Sequence, residues 1–299
     1  QRLEKKLAQW LDREIVLIYP SGFQANLAAV LALTDRHTPV ICDRLIHHSL
    51  LVGVKASGAK LIRFKHNNLS ELERLLKKSR QRNPQIQPLV ITESLFSMEG
   101  TTAPIKEISK LCIKYDSKLL IDEAHAFGVM GPEGRGESYG LKEPISIISG
   151  TFGKAFGSGG AFLATDKITG ENLIQNCGAF RYTTALAPPL CASALAALNL
   201  IESNPNWGSE LKEKSKALRD RLSQVGWQRP AGEGPIISII LGSDRLAMDY
   251  QERLEAQGLL TVAIRPPTVP EGKSRLRLVI RRNTPVQAFE RLIEVLQNK

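Results

Sequence analysis

The sequence predicts an α/β fold: a mostly parallel sheet with helices on both faces, followed by a smaller C-terminal α+β part. Three observations carry this. Short apolar runs of strand length alternate with helical patterns along most of the chain, the order that gives a parallel sheet covered by crossover helices. Some of those runs end in residues able to do chemistry, as where Lys118-Leu119-Leu120-Ile121 runs into Asp122. After a long Ala-rich apolar stretch from Leu190 to Ile201, Asn204-Pro205-Asn206 breaks the pattern. That break sets a boundary between residues 1–203 and residues 204–299.

The elements follow in order. Leu3, Leu7, Trp10 and Leu11 recur at helical spacing, and Ile15-Val16-Leu17-Ile18 reads as a strand. Pro20-Ser21-Gly22-Phe23 turns the chain into an apolar helix from Gln24 to Leu33. A Ser-Gly turn at a helix N-terminus is a place for an anion, because unbonded N–H groups and the helix dipole point there; simple capping by Ser21 is the plainer alternative. Pro39 to Cys42 is a strand that ends at Asp43-Arg44-Leu45-Ile46-His47-His48-Ser49. Two adjacent histidines cannot share a face, so at most one of them serves a site. Lys60 to Phe64 is a strand and Leu69 to Lys78 a helix. Pro88 to Thr92 is a strand ending at Glu93-Ser94-Leu95-Phe96-Ser97, where the polar residues also suit a turn. The amphipathic helix Ile105–Tyr115 leads into the strand before Asp122, Pro144 to Ser149 gives the next strand, and Gly160 to Ala164 passes back through the sheet. Beyond the boundary come a charged helix from Glu210 to Val225, a strand from Pro235 to Ile240 and a helix from Asp244 to Gln257. Strands at Leu260–Ile264 and Ser274–Ile280 and a helix from Val286 to Leu296 close the chain.

Composition narrows the function. The 299 residues are 42% hydrophobic and 23% charged, ordinary for a globular chain with a large core. No apolar run reaches the length of a membrane span, and the N-terminal Gln1-Arg2-Leu3-Glu4-Lys5-Lys6 lacks the apolar core of a signal peptide. Cys42, Cys112, Cys177 and Cys191 are widely spaced, with neither a C-x-x-C pair nor paired histidine ligands, so no metal site or disulfide framework is expected and a reducing cytoplasm is. The net charge of +10 gathers partly at Lys77-Lys78-Ser79-Arg80-Gln81-Arg82 and from Lys212 to Arg221. The second cluster is mixed with acids on an amphipathic helix, so a solvated face is expected rather than nucleic-acid binding.

The chemistry concentrates in two stretches. Gly150-Thr151-Phe152-Gly153-Lys154-Ala155-Phe156-Gly157-Ser158-Gly159-Gly160 holds one lysine among small and apolar residues after a buried strand. Desolvation there would favour the neutral amine, the species that condenses with an aldehyde; a glycine-rich turn with a solvated lysine is the competing reading. Asp122-Glu123-Ala124-His125 lies at the carboxyl end of another strand, where α/β sheets bind ligands. A carboxylate for a protonated ring nitrogen and a lysine for the aldehyde of the same ring are the recurring protein equipment for pyridoxal 5'-phosphate. Helix capping is the alternative for Asp122. Arg275 and Arg277 fall on one face of their strand and suit a carboxylate, or else guard an edge.

Asp122 to Val129, Gly134-Arg135-Gly136 and Thr151 to Gly157 resemble the α-oxoamine synthases, fold-type-I pyridoxal-phosphate enzymes that condense an amino acid with an acyl thioester and release carbon dioxide. The likeness runs from Gln1 to about Val295, and Ala263 to Pro270 points to the branch that joins L-alanine to a pimeloyl thioester in biotin biosynthesis. It implies that Lys154 holds the cofactor aldehyde, that Asp122 pairs with the ring nitrogen, that His47 stacks on the ring and that His125 meets the ring oxygen. It implies that Gly22, Phe23, Ser97 and Thr151 anchor cofactor groups and that Glu93 supports them. It further implies that Thr268 and Arg277 meet the substrate, Arg277 by its carboxylate. A homodimer is implied, with Phe180 to Ala185 reaching the neighbouring subunit's phosphate, and coenzyme A or an acyl carrier protein as thioester carrier. Relatives carry a further N-terminal segment that helps form the substrate site, so weaker thioester turnover than in a longer relative is expected. A sister synthase using glycine or serine, a fold-type-I aminotransferase and a non-catalytic scaffold remain the alternatives.

Overall fold

Ile41, Val90, Leu119, Ile121 and Ile148 face one hydrophobic core, while Val40, Cys42, Leu89, Ile91, Leu120 and Ile147 face a second. Strand side chains alternate between faces, so near-continuous apolar runs are what a sheet covered on both sides requires. The computed structural model describes residues 1–141 and 143–297. Its first compact unit takes in Gln1–Phe96 and Ala103–Pro205; the second takes in Ser97–Thr102 and the chain from Asn206 onward.

The first unit runs α1 (Arg2–Leu11), β1 (Ile15–Tyr19), α2 (Gly22–Leu33), β2 (Pro39–Asp43), α3 (His48–Ser57), β3 (Lys60–Phe64), α4 (Leu69–Arg82), β4 (Leu89–Glu93), α5 (Ile105–Lys114) and β5 (Lys118–Asp122). It continues with β6 (Ile145–Thr151), β7 (Ala161–Thr165), α6 (Lys167–Asn176), α7 (Gly178–Arg181) and α8 (Pro188–Glu202). The strands form one sheet in the order β1-β7-β6-β5-β4-β2-β3. Pairing is parallel from β3 through β6, and β7 runs antiparallel to both of its neighbours. The carboxyl ends of β2, β4, β5 and β6 therefore share one edge of the sheet.

The sequence pattern stops short at several ends. The strand expected to end at Ser149 continues to Thr151, and the helix expected to end at Lys78 continues to Arg82. Sequence pattern also passes over α6, whose apolar residues are too few for clear periodicity; Asp166 nevertheless caps it by accepting from the Thr169 N–H at 2.8 Å.

The second unit has α9 (Trp207–Gln224), β8 (Ile236–Gly242), α10 (Asp244–Ala256), β9 (Val262–Ile264), β10 (Ser274–Val279) and α11 (Val286–Gln297). Its antiparallel sheet has the order β8-β10-β9. Fully buried Arg219 of α9 donates to the carbonyls of Gly234 and Ile236, each at 2.8 Å, and burial pushes its guanidinium down to about 10. The segment Ser97–Thr102 packs on the same strand: a Cβ at Gly100 would stand 2.1 Å from the Ile236 carbonyl oxygen, so no larger residue fits there.

Candidate active site

β5 delivers two buried carboxylates side by side, Asp122 at 5% and Glu123 at 0% exposure. Asp122 Oδ2 accepts from Asn26 Nδ2 at 2.7 Å, and Oδ1 accepts from the Ala124 N–H at 2.9 Å. Asn26 is a buried polar residue on the otherwise apolar inner face of α2, and the same Nδ2 reaches Ser49 Oγ at 3.0 Å. Ser49 Oγ in turn lies 2.7 Å from His47 Nδ1. A chain of polar contacts thus joins Asp122 through Asn26 and Ser49 to the imidazole that caps α3. Burial raises the Asp122 carboxyl above the ordinary range, against the Ala124 and Asn26 hydrogen bonds and the positive fields of His47 and Lys154.

Glu123 has another task. It accepts from Ser94 Oγ at 2.5 Å, from the Ser138 N–H at 2.8 Å and from the Glu137 N–H at 3.2 Å. Gly136 presses against it with φ 89°, and a Cβ there would stand 2.9 Å from the carboxylate. The glycine run after Asp122 is therefore a tight loop wrapped on a buried carboxylate. Glu93 is also buried, opposite Asp122 in the ladder.

Thr151 ends β6, and its hydroxyl accepts from the Gly153 N–H at 3.2 Å while donating to the Gly160 carbonyl at 3.0 Å. Gly22 opens α2 beside it: a Cβ at Gly22 would stand 3.8 Å from both Cβ and Oγ1 of Thr151. Ser21 caps the helix by accepting from the Gln24 N–H. The preceding N–H groups, those of Gly22 and Phe23, have no intrahelical acceptor and face the end of the helix. Phe23 is 46% exposed. Lys154 follows in an exposed turn. This corrects the expectation of a lysine desolvated among apolar residues: Phe152 and Phe156 turn inward while Gly153, Lys154 and Ala155 stay outside. His125 is half-buried in the turn after β5, and His48 is exposed at the start of α3.

Ser97, Thr268 and Arg277 belong to the second unit. Arg277 Nε donates to the Ser97 carbonyl at 2.6 Å, and burial lowers its guanidinium from the ordinary value. Arg275, on the same face, is held by Glu99 at 3.1 Å. Among the described residues Arg277 has no such carboxylate, which makes it the better placed of the two to receive one from outside. Thr268 is exposed in the turn after β9.

The first unit therefore gathers Gly22, Phe23, His47, Asp122, Thr151 and Lys154 around the carboxyl ends of its strands. The donor set fits the pieces of pyridoxal phosphate: helix-end N–H groups and a hydroxyl for phosphate, a buried carboxylate for a protonated ring nitrogen, and a primary amine for the aldehyde. Sequence reasoning missed Asn26 and Ser49. The available signal was one short amide inside an apolar helix, which must find a partner when buried.

Comparison with known proteins comes to the same place. A family model described as aminotransferase class I and II matches residues 1–296. The chain is 38% identical over 280 residues to the 8-amino-7-oxononanoate synthase of Anaeromyxobacter dehalogenans, covering 93% of this chain and 69% of that protein. A serine palmitoyltransferase variant from S. paucimobilis, solved with bound PLP and myriocin, superposes with a TM-score of 0.91 at 27% identity over 99% of this chain and 74% of its own. The 8-amino-7-oxononanoate synthase of Francisella tularensis superposes with a TM-score of 0.86 at 28% identity over 99% and 85% of the two chains.

Proposed function

Because this chain belongs to the aminotransferase class I and II family, and is a fold-type-I, pyridoxal-phosphate-dependent acyltransferase similar to 8-amino-7-oxononanoate synthase, we propose that it condenses L-alanine with a pimeloyl thioester. Carbon dioxide and the carrier thiol leave, and 8-amino-7-oxononanoate is formed, a step of biotin biosynthesis. The observation that carries the chemistry is the buried Asp122 carboxylate, set by Asn26 and within the field of Lys154. The identity to relatives of that name supports the choice of substrates.

When bound, pyridoxal phosphate supplies an aldehyde and a ring that accepts electrons from the α-carbon of an amino acid. The residues of this chain do the rest. The N–H groups of Gly22 and Phe23 would hold the phosphate, joined by the Thr151 hydroxyl once it turns from the Gly160 carbonyl. Asp122 keeps a proton on the ring nitrogen, and Asn26 fixes which way its carboxylate faces. His47, oriented by Ser49, covers the ring, and His125 donates to its oxygen. Lys154 Nζ is the amine that would hold the aldehyde, and as a free amine it would serve as the base for the substrate α-proton. The family resemblance would give Ser97 a cofactor contact, Arg277, with its fork of donors, the substrate carboxylate, and Thr268 a place beside the substrate. The exposed segment around Arg181 and Tyr182 is the part that would meet a second copy in a homodimer. Coenzyme A or an acyl carrier protein would bring the acyl group.

The test is thiol release from pimeloyl-coenzyme A with L-alanine, glycine or L-serine, with the product weighed by mass spectrometry. Alanine-dependent release, absent from Lys154→Ala, is expected. A preference for serine with a longer acyl chain would move the reading to the sister reaction favoured by the likeness to serine palmitoyltransferase. Amino-group exchange without thiol release would make the chain an aminotransferase.

A further inference from the structure

A pocket of about 480 Å³ opens at the opposite, amino-terminal ends of the strands. Pro39 and Lys60, which begin β2 and β3 and pair in register, form part of its wall. Strands of this length put it about 16 Å from the carboxyl ends that carry the active site. Its lining includes Arg36, Lys60, Lys78 and Arg82 and not one Asp or Glu. None of these four cations is in an ion pair among the described residues. The neighbouring acid, Asp35, is occupied by its own turn, accepting from the N–H groups of His37 and Thr38 and from the Thr38 hydroxyl. His37 accepts from Arg36 Nε at 3.1 Å.

Two features separate this place from an ordinary basic surface. Lys78 and Arg82 sit near the C-terminus of α4, where the helix dipole alone accounts for cations. Arg36 and Lys60 come from other elements and are brought to the same opening by the fold. Ser79 also lines the pocket, is 8% exposed, and its hydroxyl has no hydrogen-bond partner. That hydroxyl lies beneath the surface, so what the opening offers a ligand is the set of four cations above it. Pro39, Ile62 and Leu75 give the same pocket an apolar floor. The size is that of a small-molecule site.

We propose that this pocket binds a small organic phosphate carrying at least two negative charges, its phosphate among Arg36, Lys60, Lys78 and Arg82 and its organic part against Ile62 and Leu75. The site is separate from the cofactor phosphate cradle of Gly22 and Thr151.

The experiment is calorimetric titration of the cofactor-loaded enzyme with phenyl phosphate and with inorganic phosphate, at ionic strength matched with sodium chloride. Loading keeps the cofactor cradle filled. Saturable binding is expected, tighter for phenyl phosphate because of the apolar floor. Lys78→Gln with Arg82→Gln should weaken it about tenfold, as two charge-assisted contacts are lost. Lys212→Gln with Lys216→Gln, a basic pair in the second unit, should leave it unchanged. Both double variants alter only exposed side chains, so the fold is retained. No binding beyond the chloride control overturns the proposal. So does equal binding by the Lys78/Arg82 variant, which would mean a diffuse positive field. Co-sedimentation with phosphatidylglycerol vesicles that depends on Lys78 and Arg82, without phenyl phosphate uptake, would assign the surface to membranes and also overturn it.

Discussion

Asp122, the last residue of β5, and Glu123, the next, are both buried, and both are pushed above the ordinary carboxylate range chiefly by that burial. Their surroundings differ in kind. Glu123 is met by donors from Ser94, Glu137 and Ser138, which tie its loop down. Asp122 is met by the amide of Asn26 and by the fields of His47 and Lys154. One carboxylate is tied into its own loop, and the other is the one proposed to meet a ligand. Burial and a displaced pKa therefore do not identify a functional acid; the identity of its partners does.

The largest effect should come from Asp122→Asn. An amide cannot keep a proton on a ring nitrogen, so kcat/KM should fall about a hundredfold or more, a barrier rise near 3 kcal/mol. Stability should hardly change. Asn26 Oδ1 is buried without a partner, and turning that amide over would offer it to the new NH2 group. A urea midpoint equal to that of the parent, beside collapsed turnover, is the expected pair of readings.

Glu123→Gln should do the reverse. Its new NH2 faces N–H or hydroxyl donors, so unfolding free energy should drop by about 2 kcal/mol. Turnover per folded molecule should stay within about threefold of the parent. Loss of activity beyond the loss of folded protein would erase the contrast between the two acids.

The smallest effect is on pH dependence. Both carboxyls have folded-state values above those of the unfolded chain, so the folded state binds more protons there. Their contribution to stability is fully present below the unfolded values, near pH 4, and is lost as pH rises through the raised ones. Urea midpoints taken from about pH 4 to about pH 8 should show this decline, and Asp122→Asn combined with Glu123→Gln should flatten it. A parent curve that climbs over that range would contradict the assigned direction.

Much of this was legible in the sequence, for a physical reason. A sheet covered on both faces needs continuous apolar strands, so β2, β4 and β5 declare themselves, and the residues that follow them must lie where such sheets bind ligands. The positions of Asp122 and Lys154, after β5 and β6, are legible that way. Asn26 was not, because a single amide in an apolar helix carries no periodic signal and its partner lies far along the chain. Ser49 was hidden for the same reason. The exposure of Lys154 was misread because Phe152 and Phe156 make the local composition apolar while their rings turn inward. The role of Glu123 depends on Gly136 closing over it, a tertiary fact with no local trace.

The reversed strand β7 bears on how the chain is made. It pairs along its whole length with β1 on one side and with β6 on the other, and the Lys154 turn is the link between β6 and β7. β1 must therefore wait for β7, about 140 residues further on, before it gains this neighbour in the sheet. Such distant pairing slows folding, since a long stretch of chain must be closed before any bond repays it. A nascent chain halted before Ala161 would expose the unpaired edge of β1 and would lack the strand that anchors the lysine turn. Cofactor capture should accordingly be a late event in synthesis, and β1 the segment most in need of shielding until then.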